Sequence, residues 1–291
     1  MALDWGRAGL AWPHREASSF VQAGGLRWHV QRVGAGPVAL LIHGTGSSTH
    51  SWRALMPILA QHFTVVAMDL PGHAFTGTPA AAAQLSLPGM VASLAEALAL
   101  DVALVVGHSA GAAIAARMVL DGQIAPSALV SINGALLPLA GLPGLLFPPT
   151  ARLMASSSLI PQLFARRNWD RRAVERLIAG TGSTIDAQGL ALYGLLLRDA
   201  AHAAGALGMM ARWDLKPLAS DLARLHTPLT LLVGSNDKAV PPPDARRVRA
   251  RLPADNAGSV HVLSGGGHLV HEERAGEVAA HVVRCAFTQP A

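Results

Sequence analysis

Continuous runs of apolar residues alternate along the chain with stretches that repeat hydrophobic residues at helical spacing. The runs are rich in Val, Leu and Ile, which is typical of strands buried on both faces of a parallel sheet. The strands predicted in this way are VALLIHG (38–44), TVVAMDL (64–70), ALVVGHS (103–109), ALVSING (128–134), LTLLVGS (229–235) and SVHVLSG (259–265). An antiparallel hairpin is expected before them, and helices are predicted over 50–63, 87–100, 110–122, 244–252 and 273–287. The alternation predicts an α/β fold with a mostly parallel sheet flanked by helices.

The alternation stops between about Ala135 and Lys216. This stretch begins apolar but contains prolines at a density that prevents a long straight helix, and shorter helical patterns follow. We therefore predict two parts of the chain. Residues 1–134 and 217–291 form the α/β core, and residues 135–216 form a mostly helical lid that leaves the sheet after one strand and returns before the next.

Composition narrows the classes of protein that the chain can represent. Its 291 residues are 51% hydrophobic, which suits one large folded core and excludes extended disorder. No apolar stretch reaches the roughly 20 residues that span a bilayer, and the first residues lack a signal-peptide core, so the cytoplasm is the expected location. A single cysteine gives neither a disulfide framework nor a metal cluster, and we expect no cofactor. The net charge of +5 comes from scattered arginines without a nucleic-acid motif, so no nucleic-acid partner is expected.

The segment Gly107-His108-Ser109-Ala110-Gly111 fits the G-x-S-x-G pattern, with a predicted strand before it and a predicted helix after it. A sharp strand-to-helix turn places the middle residue in a strained conformation and exposes its hydroxyl. Glycines on both sides remove Cβ atoms that would collide, and the helix N-terminus stabilises negative charge nearby. Ser109 is therefore the predicted nucleophile rather than a small packing residue.

A serine nucleophile needs a base, and the base needs a group that orients it. His268 is the predicted base, because it follows the last predicted strand and three glycines; His271 is the alternative, at the start of the closing helix. Asp237 is the predicted acid, just past the penultimate strand. Ser109, Asp237 and His268 all follow strand C-terminal ends, where open α/β sheets place their sites.

Acyl transfer also needs N–H donors for the charge that develops on the carbonyl oxygen. The amide of Ala110 is one predicted donor, because it begins the helix after Ser109. The second is predicted from the glycine-containing loop after the first buried strand, at Thr45. A phosphate-binding loop is excluded there because the Lys-Ser/Thr ending of that motif is absent.

Together, the segments HGTG, DLPGH, GHSAG, SNDKAVPP and GGGHLVHEE resemble the α/β-hydrolase superfamily across essentially the whole chain. This resemblance implies an eight-stranded sheet, a helical lid after the sixth strand and a triad of Ser109, Asp237 and His268. The segment DWGRAGLAWPHREASSFVQAGGLRWHVQR, followed by HGTGSSTHSWR, resembles the magnesium-chelatase accessory proteins of bacteriochlorophyll biosynthesis. That resemblance implies a setting in pigment synthesis for photosynthesis and leaves the chemical role open. Ala74 departs from the superfamily pattern, which often has glycine there, but it supplies no catalytic group.

Two functions follow from these observations, and the sequence leaves both open. The first is a serine hydrolase of the esterase type, acting on a small apolar or tetrapyrrole-type substrate. The second is a non-catalytic protein that binds a tetrapyrrole or assists magnesium chelatase on the same scaffold. Leu146, Phe147 and Tyr193 of the lid are the predicted substrate contacts, and the apolar stretch 136–148 is a candidate for peripheral contact with a membrane.

Overall fold

A computed structural model describes residues 3–79, 86–138, 157, 159–212 and 214–287 of the chain. The strands are β1 (Ser18–Ala23), β2 (Leu26–Val33), β3 (Val38–Ile42), β4 (Thr64–Met68), β5 (Val102–His108), β6 (Ala128–Ile132), β7 (Leu229–Gly234) and β8 (Val260–Leu263). The helices before β7 are α1 (Trp5–Ala8), α2 (Met56–Leu59), α3 (Leu87–Ala97), α4 (Ala110–Leu120), α5 (Leu159–Arg166), α6 (Arg171–Gly180), α7 (Ala187–Leu197), α8 (Ala200–Ala211) and α9 (Lys216–Asp221). The helices after it are α10 (Pro243–Arg249), α11 (Val270–Glu273) and α12 (Ala275–Phe287).

The eight strands form one sheet in the order β1-β2-β4-β3-β5-β6-β7-β8. Only the pairs that β2 makes with β1 and β4 are antiparallel; the other neighbours run parallel. The predicted fold class, an eight-stranded and mostly parallel sheet flanked by helices, is confirmed. Because parallel strands end at the same edge, the segments after β3, β5, β7 and β8 meet at one edge of the sheet.

Alternate residues of each central strand face opposite sides and pack into two hydrophobic cores. In β3, Leu40 and Ile42 pack with α3, α4 and β5 residues on one side, whereas Ala39 and Leu41 pack with α2 and α12 on the other. A strand covered on both faces needs apolar residues at every position. The continuous apolar runs in the sequence reflect this double burial.

One predicted helix is much shorter in the structure. Residues 50–63 contain only a 3-10 turn over Thr49–Trp52 and the four-residue helix α2. At the start of this segment, the Thr49 N–H donates a hydrogen bond to the buried Asp69 carboxylate at 2.7 Å. Pro57, inside α2, has no N–H to continue an earlier helix.

In the part of the chain that the structure describes, five helices, α5 to α9, lie between β6 and β7. The helices α7 and α8 are separate elements, because the Asp199 side chain caps the N-terminus of α8 through the His202 N–H. The division of the chain into a core and a lid at 135 and 216 stays a prediction. Leu146, Phe147 and most of the stretch 136–148 lie outside the described residues. Among the helices that the structure does describe, none combines the length and the hydropathy that crossing a membrane requires.

Candidate active site

Ser109 lies in the turn between β5 and α4 with φ 51° and ψ −117°, a backbone conformation that non-glycine residues rarely adopt. The turn is tight on both sides. A Cβ on Gly111 would lie 2.0 Å from the Ile42 carbonyl oxygen, and a Cβ on Gly107 would lie 2.4 Å from the Ala112 Cα. Only glycine fits at either position, so the two glycines of the motif permit the strained turn that presents the serine.

Asp237 and His268 come together at the ends of β7 and β8. The His268 Nδ1 donates to Asp237 Oδ2 at 2.9 Å, and the Asp237 side chain is buried. The second carboxylate oxygen, Oδ1, accepts the N–H groups of Ala239 and Val240 at 2.8 and 2.9 Å. The Asp237 carboxylate is thereby fixed in position. It binds the His268 imidazole through Nδ1, so Nε2 makes no bond to the carboxylate.

The backbone of His268 is held by two side chains that sequence analysis did not identify. The His268 carbonyl oxygen accepts from His108 Nε2 at 2.9 Å and from Asn133 Nδ2 at 2.8 Å. Asn133 Nδ2 also donates to the Gly267 carbonyl at 2.8 Å, and its Oδ1 accepts the Gly234 N–H at 2.8 Å. One buried amide therefore ties the end of β6 to β7 and to the loop that carries the histidine. Its only signal in the sequence is a polar residue at a strand end.

Ser109, the predicted nucleophile, lies in the chain directly after a residue that contacts this arrangement. The ring of His108, the residue before Ser109, lies 4.8 Å from the His268 ring between centroids. Among the described residues, the Ser109 hydroxyl has no hydrogen-bond partner, including His268. The side chain is therefore not held by any described acceptor, and a rotation about its Cα–Cβ bond changes the direction of the hydroxyl.

Thr45 and Ala110, the predicted N–H donors, lie in segments that meet at Ser109. A Cβ on Gly44 would lie 2.9 Å from the Ser109 Cβ, so the Thr45 loop runs directly against the serine. Ala110 is the first residue of α4, and its N–H is one of those without a partner inside the helix.

His43 orients the peptide group between Gly44 and Thr45. His43 Nε2 accepts the Leu70 N–H at 2.9 Å, so Nδ1 carries the proton and donates to the Gly44 carbonyl at 2.7 Å. In a planar trans peptide the N–H points opposite to the carbonyl. The Thr45 N–H therefore points away from His43.

Two more histidines form hydrogen bonds with the backbone of Gly46, the next residue of this loop. The Gly46 N–H donates to His73 Nε2 at 3.2 Å, and the Gly46 carbonyl accepts from His202 Nε2 at 3.1 Å. Burial lowers the pKa of His202 to about 4 and the pKa of His73 well below its ordinary value, so both rings are neutral at pH 7. The His73 ring must be neutral, because its Nε2 accepts the hydrogen bond from the Gly46 N–H. Since His202 belongs to α8, this clamp joins the loop to the helices between β6 and β7.

Tyr193 and His271 belong to a buried polar network beside the site. The Tyr193 hydroxyl donates to Glu272 Oε1 at 2.8 Å, and burial raises the pKa of Tyr193 well above its ordinary value, so this donor stays protonated. Glu272 also pairs with Arg53, which bridges to Asp186 at the start of α7 at 2.7 Å. The use of Tyr193 as a substrate contact stays a prediction.

His271, the alternative base, faces a different partner from His268. Its Nε2 bonds the Ser51 hydroxyl at 2.7 Å, and burial lowers the pKa of His271 to about 3. Of the two histidines, His268 is the one that the structure pairs with an aspartate. Within the residues that the structure covers, no group of three His, Cys, Asp or Glu side chains could hold a metal ion.

Comparison with known proteins identifies the family to which the chain belongs. The chain belongs to the alpha/beta hydrolase family, whose model matches residues 39–281. It is 37% identical over 273 residues to the magnesium-chelatase 30 kDa subunit of Rhodobacter capsulatus, covering 91% of this chain and 92% of that protein.

Solved structures share the fold at lower identity. An alpha/beta hydrolase fold protein from Burkholderia ambifaria matches with a TM-score of 0.74 and 21% identity, covering 92% of this chain and 97% of that one. A serine hydrolase involved in carbazole degradation (CarC enzyme) matches with a TM-score of 0.73 and 21% identity, covering 94% and 99%. At these identities the likeness concerns the fold alone.

Proposed function

We propose that this protein is a serine hydrolase that cleaves an ester or a related acyl bond. The observation that carries the proposal is the hydrogen-bonded pair of His268 and Asp237 at the same sheet edge as Ser109, which occupies a strained and tightly constrained turn. Strained backbone conformations at non-glycine residues cluster at active sites.

The proposed mechanism assigns one role to each group. His268 Nε2 takes the proton of Ser109 as the hydroxyl oxygen attacks the carbonyl carbon, and it later gives that proton to the leaving alcohol. Asp237 holds the imidazole and stabilises its charged form. The N–H groups of Thr45 and Ala110 bind the oxyanion, and each such donor contributes roughly 3–4 kcal/mol to the transition state. Water then releases the acyl group from Ser109 by the same proton transfers in reverse order.

The test is turnover of p-nitrophenyl butanoate by the wild type and by Ser109→Ala. We expect the variant to lose at least about 10³-fold in kcat. Ser93→Ala is the matched control, because the Ser93 hydroxyl only bonds the Gly89 carbonyl within α3. Equal turnover by the wild type and Ser109→Ala would contradict the proposal.

A second candidate function concerns tetrapyrroles, and the similarity to the magnesium-chelatase 30 kDa subunit over nearly the whole chain favours it. In this role the protein serves bacteriochlorophyll synthesis by binding a tetrapyrrole or by associating with the chelatase, with or without hydrolysis. The two candidates are compatible, since a hydrolase can act on a tetrapyrrole ester.

Titration with protoporphyrin and with its magnesium complex tests the binding form of the second candidate. A shift of the porphyrin absorption band at micromolar protein would support it. Spectra that equal the sum of the separate components at that concentration would exclude a binding role.

A further inference from the structure

A cavity of about 680 Å³ lies between α4 and α8, next to the proposed active site. Ala113, Ile114 and Arg117 of α4 line one side, and Gly208 and Met209 of α8 line the other. Its volume lies within the roughly 300–1,000 Å³ that is typical of small-molecule sites. Ser109, Asp237 and His268 do not line it, so the mechanism above leaves the cavity without a role.

The cavity begins beside both proposed oxyanion donors. Met209 lines the cavity, and its sulfur accepts a hydrogen bond from the Thr45 hydroxyl at 3.4 Å. Ala113 and Ile114 follow Ala110 by three and four positions on α4, so they lie on the same face of the helix one turn further along. A chain attached to a carbonyl held by these donors would therefore start next to the residues that line the cavity.

The charges in the wall cancel. Arg117 forms ion pairs with Asp121 at 2.9 Å and with Asp221 at 2.7 Å. The other charged residues of the lining are Arg212 and Asp214, which have opposite signs. With two arginines and two aspartates in the lining and apolar side chains between them, the cavity favours a neutral apolar group over an ion.

We propose that this cavity binds the acyl chain of the substrate, and that the substrate is a neutral ester whose acyl group is long and apolar. This inference rests on the proposed function. The acyl group stays attached to Ser109 between the two chemical steps, whereas the alcohol must leave, so a site between two helices suits the acyl part. Arg117 follows Ala110 by seven positions, which sets the length of the chain at roughly 10 Å along α4.

Gly208 is the position that limits the size of this chain. Among the described residues, a Cβ there would meet only the Arg212 guanidinium, at 3.9 Å, so a side chain can begin at this position without a backbone collision. Gly205, one turn earlier, offers no such freedom, because its Cβ would lie 2.0 Å from the Gly72 carbonyl oxygen. Because Gly208 lines the cavity, we expect the ring of Gly208→Trp to occupy part of its volume.

The first experiment compares kcat/KM for p-nitrophenyl octanoate and p-nitrophenyl acetate. We expect the wild type to favour octanoate by at least about tenfold, the gain from roughly two buried methylene groups. Gly208→Trp should lower the ratio of kcat/KM for octanoate to kcat/KM for acetate at least about tenfold, to a value near one. Gly276→Trp, on α12, is the matched control, because its Cβ meets no atom within 4 Å and it is remote from the cavity lining. An unchanged ratio in Gly208→Trp would overturn the proposal.

The second experiment separates this proposal from the proposed chemistry. Decan-1-ol should bind Ser109→Ala in calorimetric titration, bind more tightly than decanoate, and lose binding when Gly208→Trp is added. If no variant hydrolyses any ester but this binding pattern holds, the hydrolase proposal and the acyl assignment fail together, and the cavity stands only as a site for a neutral apolar chain. If esters are hydrolysed but decan-1-ol binds equally with and without Gly208→Trp, the cavity assignment fails alone. Tighter binding of decanoate than of decan-1-ol would overturn the preference for a neutral group.

Discussion

Replacing Asn133 by alanine should reduce both the stability and the reactivity of the protein. The substitution removes three hydrogen bonds of 2.8 Å, to the carbonyls of Gly267 and His268 and from the N–H of Gly234. At a net value of about 1 kcal/mol each, the free energy of unfolding should fall by about 3 kcal/mol. Asn133 also has φ 46°, which asparagine tolerates better than alanine and which adds about 1 kcal/mol to the loss.

The effect on reactivity follows from what the amide holds. Without Asn133, the His268 carbonyl keeps only the hydrogen bond from His108, and the His268 N–H keeps its bond to the Thr181 carbonyl, so the imidazole is less well fixed against Ser109. Displacement of a reacting group by about 1 Å can cost on the order of 100-fold in rate. We therefore expect kcat/KM for p-nitrophenyl butanoate to fall by roughly 10- to 100-fold, measured by steady-state absorbance with stability measured by urea unfolding.

Asn256→Ala is the matched control. Asn256 is also buried, and it makes four hydrogen bonds away from the site, to the carbonyls of Leu225 and Thr227 and from the N–H groups of Leu229 and Gly258. Its loss should destabilise the protein by a similar amount, about 3–4 kcal/mol, without changing kcat/KM. Wild-type kcat/KM in Asn133→Ala, measured where it is folded, would refute the positioning role of Asn133.

Two further predictions concern charge. Asp237→Asn should keep the fold but lower kcat on the order of 10⁴-fold, because the amide favours the wrong tautomer of His268; a loss under about tenfold in the p-nitrophenyl butanoate assay would contradict this role. Acid should destabilise the protein between pH 6.5 and about 4, since unfolded histidines bind protons there while the buried His202 and His271, whose pKa values are about 4 and about 3, do not. Each of the two should cost about 1.6 kcal/mol on going from pH 6.5 to 5 in urea unfolding. Replacing His202 by glutamine should reduce that pH dependence, and equal stability of the wild type at the two pH values would contradict the assignment.

The residues proposed for catalysis could be found in the sequence because each carries a local signal. Ser109 lies in a five-residue motif, and Asp237 and His268 each follow an apolar run of strand length. In parallel sheets the ends of such runs meet at one edge, so residues distant in the chain can be grouped without knowing the structure. The pairing of Asp237 with His268 in the structure agrees with that grouping.

The groups that support these residues could not be found in this way. Asn133 lies 134 positions from Gly267, and His202 lies 156 positions from Gly46. Their roles depend on which backbone groups the fold brings beside them, and a single asparagine or histidine carries no spacing that indicates this. His202 also lies in a helical pattern, where a structural role is the ordinary expectation.

The shortened helix at 50–63 has a local cause that hydrophobic spacing does not report. Pro57 has no N–H to donate to the Arg53 carbonyl, so one continuous helix through this segment would lose a hydrogen bond at its centre. The residues before it form a 3-10 turn over Thr49–Trp52 instead. Apolar periodicity predicts the element, whereas the proline decides where it begins.

Reaction of the protein with a fluorophosphonate, followed by mass spectrometry of its peptides, tests the assignment of Ser109 directly. We expect one phosphonylated serine, Ser109, with labelling lost in Ser109→Ala and slowed in Asp237→Asn. Labelling should remain unchanged in Ser93→Ala. A protein that remains unlabelled while folded, or one that labels equally in Ser109→Ala, would contradict the assignment of Ser109 as the nucleophile.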